Sequence, residues 1–386
     1  MSFLGYPRQD GTVGSRNLIG IISTVSCAND VALWISQKVS GCVPFLHGQG
    51  CCQTQPDLDI VTRTLISLGR NPNLAGVLLV SLGCESVVVD KVVEGIAKSH
   101  KPVSKIVIQK DGGATAALAR GCKLAGKMVA DASIIKREEF PDSKLVLGVK
   151  CGASDTTSGI VANPIAGAVC DMLISAGGTC IFGETTEFIG AEHILRRRAA
   201  NPQVADKITD IVARMESRAK SMGFDMRGGQ PTGGNIAGGL TTIEEKSLGA
   251  IIKAGTKSID DVYQYGDRPN GKGVFIIDTP GREPEFLTAL GAAGAQVIIF
   301  TTGIGAPQGF PFVPVIKITG NPITYERLTD HLDVFVELID KSHFDITQLG
   351  QGLYQEVLAV ASGKRTKAEI IGYGIFPNIF AVGPVI

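Results

Sequence analysis

Residues 145–152 read LVLGVKCG, a short apolar run that ends in a cysteine and a glycine. Such a run, bounded by small or polar residues, is typical of a buried strand in a parallel sheet. The same pattern occurs in NLIGIISTVSC (17–27) and GVLLVSLGC (76–84), and a segment of helical character follows each strand. Strands that alternate with helices predict an α/β protein with parallel sheets.

The length of the chain predicts more than one domain. It has 386 residues, which is more than one ordinary core accommodates. The strand pattern restarts directly after PDSK (141–144), so we predict an α/β domain over 1–140 and a second over 141–386, which contains the glycine-rich loop GGQPTGGNIAGGL (228–240). Both domains are expected to be Rossmann-like, with strand-end loops that form a shared crevice.

The composition excludes several classes of protein. Hydrophobic residues make up 44% and charged residues 19%, as in a folded globular chain. Lys+Arg and Asp+Glu both number 37, so no basic field favours nucleic acid or a membrane surface. The first residues, MSFLGYPRQDG, lack the apolar run of a signal peptide. Nine cysteines in a chain without a signal peptide predict a cytoplasmic protein whose thiols are free or bind metal.

Three cysteines share a position at the end of an apolar strand-like run or just after one, beside a glycine. Cys51, Cys84 and Cys151 lie in HGQGC (47–51), LLVSLGCE (78–85) and LVLGVKCG (145–152), and Cys27 is similarly placed without a glycine. Because strand-end loops gather at one edge of a parallel sheet, the three thiols are candidate metal ligands. Three thiolates could hold a [4Fe–4S] cluster with one open iron. The alternatives are a single Fe(II) with His or Glu ligands, or ordinary buried thiols.

Polar side chains near the same strand ends are candidates for acid–base chemistry. His47 precedes Cys51 by four residues, and Glu184 and His193 frame GETTEFIGAEH. A histidine or carboxylate at a strand end can move protons or bind a hard metal. The alternative for each is a structural residue with satisfied hydrogen bonds. The remaining candidates are for substrate binding, and they precede or follow strands: Arg16, Asn17, Thr301 and Thr302.

The loop 228–240 leads into a helix. Thr241, Thr242 and Glu244 fit a capping box, so a helix is predicted to start there. Free amide groups at such a start suit an anion, for which Asn235, Thr241 and Thr242 are candidate substrate ligands. Lys246 lies in the first turn, where a cation is unfavourable without a partner, and is a candidate for proton transfer. The loop has neither a Walker lysine nor a dinucleotide fingerprint, so a substrate carboxylate is favoured over a nucleotide.

Motifs along essentially the whole chain resemble the altronate/galactarate dehydratase family. They read GYPRQDGTVGSRN (5–17), HGQGC (47–51), LGCE (82–85), CGASD (151–155), ANP (162–164), GAEH (190–193), GGLTTIEEKSLGA (238–250), DTPG (278–281) and ASGKRTKAEIIGYG (361–374). The large subunit of sulfolactate sulfo-lyase belongs to the same broad group. One motif departs: the family often has a glycine–serine pair in the loop where this chain reads TTGIGAPQG (301–309).

The resemblance implies a metal-dependent lyase of carbohydrate acid catabolism. It would remove a β-substituent from a sugar acid or related 2-hydroxy acid and yield a 2-keto acid, with iron as Fe(II) or a [4Fe–4S] cluster, or with Mn(II). His193 and Lys246 are then the first candidates for proton transfer, followed by His47 and Glu184. The resemblance begins at about residue 5, so the family's small N-terminal domain is expected to be a separate small subunit, and we expect an oligomer.

Three other functions remain open at this point. The leaving group could be sulfite, as in a sulfo-lyase. The chain could instead be a non-catalytic ligand-binding scaffold that needs its partner for activity. A nucleotide-dependent oxidoreductase is suggested by the alternation of strands and helices alone, and the lack of a G-x-G-x-x-G fingerprint argues against it.

Overall fold

The computed structural model describes residues 1–337, 345–374 and 377–386. The strands are β1 (Ser2–Pro7), β2 (Val13–Gly14), β3 (Leu18–Ser23), β4 (Cys42–Phe45), β5 (Leu74–Ser81), β6 (Val103–Val107), β7 (Glu138–Pro141), β8 (Val146–Cys151), β9 (Thr179–Phe182), β10 (Ile259–Tyr263), β11 (Gly273–Ile277), β12 (Val297–Thr301), β13 (Val315–Thr319) and β14 (Val334–Phe335). The helices are α1 (Asn29–Lys38), α2 (Gln55–Gly69), α3 (Val89–Ala97), α4 (Ala114–Ser133), α5 (Asn163–Ser175), α6 (Glu192–Arg197), α7 (Pro202–Ser221), α8 (Gly233–Ala237), α9 (Ile243–Ile251), α10 (Glu283–Ala292), α11 (Pro322–Arg327), α12 (Ile346–Ala361) and α13 (Lys367–Ile371).

The N-terminal part is a four-stranded parallel sheet in the order β4-β3-β5-β6. Every residue of β5 is buried, which explains its unbroken apolar sequence. Residues of α1 and α4 pack on one face, and residues of α2 and α3 pack on the other. From β3 the chain first moves to one side, to β4, and later to the other side, to β5. The carboxyl ends of β3 and β5 therefore flank a topological switch point, where open α/β sheets bind ligands.

The C-terminal part repeats this plan on a larger scale. Its seven parallel strands run in the order β10-β11-β9-β8-β12-β13-β14. The chain goes from β8 to β9 on one side, and its later strands β12 and β13 lie on the other side. A second switch point thus lies between the carboxyl ends of β8 and β12. A small antiparallel sheet, β2-β1-β7, pairs the start of the chain with the segment between the two parts.

One hydrophobic cluster joins the two sheets. It contains Phe45 and Leu68 from the N-terminal part and Phe286, Phe310 and Phe312 from the C-terminal part. Polar contacts reinforce it: the Asn73 side chain donates to the carbonyl oxygens of Gln296 and Phe312 at 3.0 and 2.9 Å. The two parts therefore share a core.

One helical segment, Ser158–Ser175, is long and apolar enough to cross a membrane by length and composition, but 56% of it is buried in the fold. It begins with a π-helical turn at Ser158–Ala162 and continues as α5. Its buried residues belong to the hydrophobic cluster of the C-terminal part. This burial is typical of the core helix of a globular protein.

The prediction of α/β architecture with parallel sheets is confirmed. The shared crevice and the boundary at 141–144 stay predictions. One helix start differs from the prediction: Thr242, not Thr241, caps α9, because its side chain accepts a hydrogen bond from the amide of Glu245.

Candidate functional site

Four cysteines gather at the carboxyl edge of the four-stranded sheet, and we call them the thiol group: Cys27, Cys51, Cys52 and Cys84. Cys27 lies in the turn after β3, Cys51 and Cys52 follow β4, and Cys84 follows β5. These three strands are neighbours in the sheet. Cys27, Cys52 and Cys84 are exposed, and Cys51 is half-buried. The thiol group thus lies at the first switch point and is open to solvent.

Hydrogen bonds lock the three cysteine loops together. The carbonyl oxygen of Gly50 accepts from the amides of Ser86 and Val87 at 3.1 and 3.3 Å, which joins the loops of Cys51 and Cys84. The amide of Ser26 donates to the carbonyl oxygen of Gln49 at 3.1 Å, which joins the loops of Cys27 and Cys51. The positions of the thiols relative to one another are therefore fixed by backbone contacts.

Backbone geometry explains the glycines beside Cys51 and Cys84. Gly50 has φ +112°, and a Cβ there would lie 2.4 Å from the carbonyl oxygen of Thr24. Gly83 has φ +119°, and its Cβ would lie 2.8 Å from Oε1 of Gln109. Side chains rarely adopt these φ values. The glycine–cysteine pairs thus allow the sharp, closely packed turns that present the thiols.

The thiols contact one another and neutral donors. Sγ of Cys51 lies 3.7 Å from Sγ of Cys52. Ser86 Oγ and Gln109 Nε2 donate to Sγ of Cys51 and Cys84 at 3.9 and 3.4 Å. Hydrogen bonds from Cys52 and then Ser86 lower the pKa of Cys51. Among the described residues, no lysine or arginine donates a hydrogen bond to these thiols.

The neighbouring thiols raise the pKa of Cys52. It is raised chiefly by the hydrogen bond to Cys51 and by repulsion from that thiol, and Cys27 and Cys84 add to the repulsion. Charges act on one another only over a limited distance, because solvent and ions screen them. Together with the backbone hydrogen bonds that join their loops, this makes the four thiols one group.

His47, a predicted catalytic residue, supports the Cys51 loop. Its ring is 3% exposed, and burial lowers its pKa to about 4. Nδ1 accepts a hydrogen bond from the amide of Gln49 at 3.2 Å, so Nε2 carries the proton and donates to the carbonyl oxygen of Ser23 at 2.8 Å. Both ring nitrogens are engaged, which favours a structural role.

A second group, which we call the buried charge group, lies beneath the second switch point: Lys150, Cys151, Glu184, Glu187 and Lys253. Nζ of Lys253 is 2.9 Å from Glu184 Oε2, 3.3 Å from Glu187 Oε2 and 3.2 Å from Cys151 Sγ. Nζ of Lys150 is 3.3 Å from Glu184 Oε1. All five residues are buried. Two ammonium groups thus balance two carboxylates inside the protein.

Mutual charges set the protonation of this group. Burial raises the pKa of Glu187, but the charges of Lys253 and Lys246 outweigh it and lower that pKa to about 2. Burial, then the charge of Glu187, raises the pKa of the Cys151 thiol well above its ordinary value. The protonated thiol donates to Glu187 Oε2 at 2.9 Å. Cys151 is therefore a neutral hydrogen-bond donor here.

Cys151, Glu184 and Glu187 could hold a metal ion, because their ligand atoms all lie within 4.8 Å of one another. However, the ammonium group of Lys253 lies within 3.3 Å of a ligand atom of each. Lys253 supplies the positive charge that a metal would bring. In this arrangement the protein itself therefore neutralises the three possible ligands. The predicted ligand set of Cys51, Cys84 and Cys151 is divided between the two groups.

Lys246 lies between the buried charge group and a surface cavity. Its side chain is 12% exposed, and Nζ is 3.5 Å from Glu187 Oε1 and 2.8 Å from Gln230 Oε1. Lys246 and Asp155 help to line a cavity of about 210 Å³. Asn235 is buried beside it, donates to the carbonyl oxygen of Ser154 at 2.8 Å, and accepts from Lys246 at 3.4 Å. The structure thus brings Lys246 and Asn235 together.

Arg16 and Asn17 are fully engaged in structural contacts. The Arg16 guanidinium binds both carboxylate oxygens of Glu369 at 2.7 and 2.8 Å, and its other N–H groups donate to three carbonyl oxygens. Asn17 accepts from Arg8 and donates to the carbonyl oxygen of Ala132, both at 2.8 Å. No N–H of Arg16 is left for a substrate, so these contacts favour a structural role for both residues.

The threonine candidates make local contacts. Thr301 Oγ1 donates to Asn163 Oδ1 at 2.6 Å, and Thr302 Oγ1 accepts from the amides of Gly305 and Ala306. Thr241 hydrogen-bonds Glu245, and Thr242 caps α9. These bonds position loops around the second switch point.

His193 makes no hydrogen bond or ion pair with either group among the described residues. It is exposed on α6 and makes no side-chain hydrogen bond within the described part of the chain.

Sequence reasoning did not identify Lys150, Glu187 or Lys253. The available signal was a charge inside an apolar segment: Lys150 lies in LVLGVKC and Lys253 in GAIIKAG. A lysine that must be buried needs a carboxylate partner, because isolated charges are expensive to bury. That rule predicts such a cluster without showing which carboxylates form it.

Family models match both parts of the chain. The model described as "D-galactarate dehydratase/Altronate hydrolase, second domain" matches residues 5–133. The model described as "D-galactarate/Altronate dehydratase, C-terminal" matches residues 142–381. Together they cover most of the sequence.

Curated relatives agree with these matches. The chain is 37% identical over 379 residues to the (2R)-sulfolactate sulfo-lyase subunit beta of Chromohalobacter salexigens, covering 97% of this chain and 96% of that one. It is 33% identical to the altronate dehydratase of Bacillus subtilis, covering 95% of this chain and 75% of the relative. It is 32% identical to the galactarate dehydratase (L-threo-forming) of Escherichia coli, covering 94% and 73%.

Proposed function

Because the chain belongs to the altronate/galactarate dehydratase family of lyases, we propose that it removes a β-substituent from a 2-hydroxy acid to give a 2-keto acid. The observation that carries this proposal is the 37% identity to a sulfo-lyase subunit over 97% of this chain and 96% of that one. We take a sulfolactate-type substrate, with sulfite as leaving group, as the first candidate. Dehydration of a sugar acid is the second, supported by the 32–34% identity to three dehydratases.

The reaction breaks two bonds of the substrate. A base takes the proton from C2, and the C–H electron pair forms a double bond between C2 and C3. The leaving group departs from C3 with its bonding electrons, as sulfite or as hydroxide that is protonated to water. The enol that remains takes a proton at C3, releases the proton of its hydroxyl group and becomes the 2-keto acid. Stabilising the negative charge near the carboxylate is the main demand on the enzyme.

Lys246 is our first candidate for proton transfer. It lines the cavity of about 210 Å³. It lies 3.5 Å from Glu187, whose low pKa keeps a negative charge beside the ammonium group. Glu184 is sealed in the interior, so its role is to hold Lys150 and Lys253. His193 remains a candidate as an exposed side chain that a partner subunit or a substrate could reach.

The activity is proposed to need iron. When bound, the metal supplies a Lewis acid that binds the substrate carboxylate and 2-hydroxyl and stabilises the charge formed after proton removal. The chain's own residues then hold the substrate, move the protons and exclude water. Mn(II) is the alternative metal.

A separate small subunit is proposed as partner, since one relative, matched over 97% of this chain and 96% of its own length, is a "subunit beta". The complex is proposed to be cytoplasmic, without nucleic acid or membrane, and oligomeric. The scaffold alternative differs in one respect: this chain would bind the substrate but would not supply the catalytic groups.

The test is an anaerobic assay of the chain with and without a co-expressed small subunit, with iron added. (2R)-sulfolactate, altronate and galactarate are offered separately, and sulfite and 2-keto acid are measured. The proposal predicts sulfite and 2-keto acid in equal amounts from sulfolactate. Release of 2-keto acid from altronate or galactarate alone would favour the second candidate. No 2-keto acid from any substrate, with both subunits present, would contradict the proposal.

The residues are tested in the same assay. Lys246→Gln is expected to lower kcat by about 10²-fold or more, as loss of a general acid–base group does. His193→Gln is expected to lower it as strongly only if His193 moves a proton. Lys207→Gln, a change on an exposed surface ion pair with Asp261, is the control and is expected to keep normal activity.

A further inference from the structure

We propose that Cys27, Cys51 and Cys84 each bind one iron of a [4Fe–4S] cluster, whose fourth iron is left open for the substrate. This inference rests on the proposed function for the role of the open iron, whereas the ligand set is argued from geometry alone. It replaces the predicted ligand Cys151 with Cys27.

The topology places these three cysteines where a ligand is expected. Cys27 and Cys84 follow β3 and β5, the two strands that flank the first switch point, and Cys51 follows β4 on the other side of β3. Crevices at such points hold the ligands of open α/β sheets. Backbone hydrogen bonds from Ser26 to Gln49 and from Ser86 to Gly50 hold the three loops in place. The site is therefore built by the fold and does not depend on one flexible loop.

The spacing of the thiols distinguishes a cluster from a single metal ion. In the described part of the chain, the one group of His, Cys or carboxylate ligands that all lie within 4.8 Å of one another is Cys151, Glu184 and Glu187. At least one pair among the sulfurs of Cys27, Cys51 and Cys84 is therefore farther apart. A tetrahedral ion with metal–sulfur bonds of about 2.3 Å needs its sulfurs about 3.8 Å apart. In a [4Fe–4S] cluster each thiolate binds a different iron, so the sulfurs are spread more widely.

Among the described residues, no lysine or arginine donates a hydrogen bond to a sulfur of the thiol group. In the buried charge group, Lys253 lies 3.2 Å from the Cys151 sulfur and neutralises the carboxylates beside it. Around the thiol group, the described residues that donate to sulfur are Ser86 and Gln109, both neutral. Hydrogen bonds to cluster sulfurs of this kind adjust the stability and potential of a cluster. The cysteine of the buried group thus already has a cation beside it, whereas within the described residues the sulfurs of the thiol group receive hydrogen bonds from neutral groups.

The direction of its sulfur selects Cys51 over Cys52 as the third ligand. The Ser86 hydroxyl, two residues after Cys84, donates to Cys51 at 3.9 Å, so the Cys51 sulfur faces the Cys84 loop. Because Cys27 and Cys84 are exposed, a cluster held there would leave its unbound iron open to solvent. A 2-hydroxy acid could then bind that iron through its carboxylate and hydroxyl oxygens.

The experiment measures iron and sulfide, independently of activity. The full chain is purified anaerobically, reconstituted with iron and sulfide, and desalted. We expect about four iron and four sulfide per chain, with the visible absorption and the reduced-state electron paramagnetic resonance signal of a [4Fe–4S] cluster. We expect each of three single variants to retain at most about one tenth of the wild-type iron and sulfide. The variants are Cys27→Ser, Cys51→Ser and Cys84→Ser.

Matched variants keep the test specific. Cys52→Ser removes the neighbouring thiol, and Cys122→Ser removes a half-buried thiol on α4; both are expected to keep the cluster. Circular dichroism establishes that each variant is folded. One metal ion without sulfide in the wild type would overturn the proposal. So would full iron and sulfide in Cys27→Ser, or loss of the cluster in Cys52→Ser but not in Cys51→Ser.

The result separates this inference from the proposed function. A normal cluster without turnover of any 2-hydroxy acid would support the ligand set and contradict the proposed reaction. Turnover of sulfolactate by a chain that carries one metal and no sulfide would support the proposed reaction and contradict the ligand set.

Discussion

The two parallel sheets carry cysteines at corresponding strand ends, yet these cysteines differ in burial and in the charges beside them. Cys151, at the end of β8, is buried, protonated and surrounded by two carboxylates and a lysine. Cys84, just after β5, is exposed and receives a hydrogen bond from a neutral amide. Position in the topology therefore does not determine what a thiol does. The charges that the fold places beside it decide whether the site is closed or open to a metal.

The comparison also separates stability from function. Removing one partner from a buried ion pair leaves an uncompensated charge in the interior, which is strongly destabilising. Exposed thiols without charged partners contribute little to the free energy of unfolding, so they are free to serve chemistry. The buried charge group should accordingly respond to mutation through stability, and the thiol group through metal binding.

The largest expected effect comes from removing the central lysine of the buried charge group. Lys253→Met leaves Glu184 and Glu187 without their main cation and is expected to lower the free energy of unfolding by about 3–5 kcal/mol. Urea denaturation measures it. Lys207→Met, at an exposed ion pair with Asp261, is the control, for which less than about 1 kcal/mol is expected. Equal losses in the two variants would contradict the role of Lys253.

A smaller effect is expected from the glycine that shapes the Cys51 loop. Gly50→Ala places a Cβ 2.4 Å from the carbonyl oxygen of Thr24 at φ +112°, which should cost at least about 2 kcal/mol. Gly48→Ala is the matched control, since no atom lies within 4 Å of its Cβ position. Thermal or urea unfolding of both variants checks the difference. A Gly50→Ala variant as stable as Gly48→Ala would mean that this loop is not held as described.

The stability of the protein is expected to depend on pH through His47. Burial lowers the pKa of His47 to about 4, whereas the unfolded chain titrates near its ordinary value of about 6.5. Between these values the unfolded state binds more protons, so acidification favours unfolding. The stability is fully present above about pH 6.5 and is lost as the pH falls toward 4.

From about pH 7.5 to pH 5 this histidine should account for about 2 kcal/mol of lost stability. His47→Gln removes the titration, so the stability difference between wild type and variant should change by that amount across the range. Urea denaturation at several pH values measures it. A difference that stays constant with pH would show that His47 is not buried as a neutral ring.

Alkylation of the thiols is expected to change the free energy of unfolding least, but it contrasts the two groups most clearly. In chelator-treated, reduced native protein, iodoacetamide should label the exposed Cys27 and Cys84 readily, but Cys151 only after denaturation. Cys51 should react faster than Cys122, although both are half-buried, because hydrogen bonds from Cys52 and Ser86 lower its pKa. Peptide mass spectrometry over time measures both. Rapid labelling of native Cys151 would remove the contrast.

The sequence predicted the parallel α/β architecture because a buried parallel strand has an unmistakable apolar run, as in β5 and β8. An asparagine before a proline is a helix-start signal of the same kind, and in the structure Asn201 caps α7, with Pro202 at its first position. The sequence of α2, QPDLDIVTRTLISLG, carries a helix signal too, because it has a proline at its start and apolar residues at helical spacing.

The candidate site was harder to predict, because sequence patterns cannot show which strand ends are adjacent. Cys51, Cys84 and Cys151 share one local pattern, but Cys151 belongs to a different sheet. Cys27 lacks the adjacent glycine and was set aside, yet β3 places it beside the other thiols. Strand order, which depends on long-range packing, decided both outcomes.

The hydrophobic cluster that joins the two sheets has a consequence for protein engineering. Because Phe45 packs with Phe310 and Phe312, neither half of the chain carries a complete interior of its own. Because the core is shared, the protein is expected to unfold cooperatively as one unit. Halves exchanged between homologous enzymes must therefore bring matching aromatic surfaces, because a mismatch would leave destabilising cavities between them. Changes of substrate preference are better sought by grafting the loops at the strand ends than by recombining whole halves.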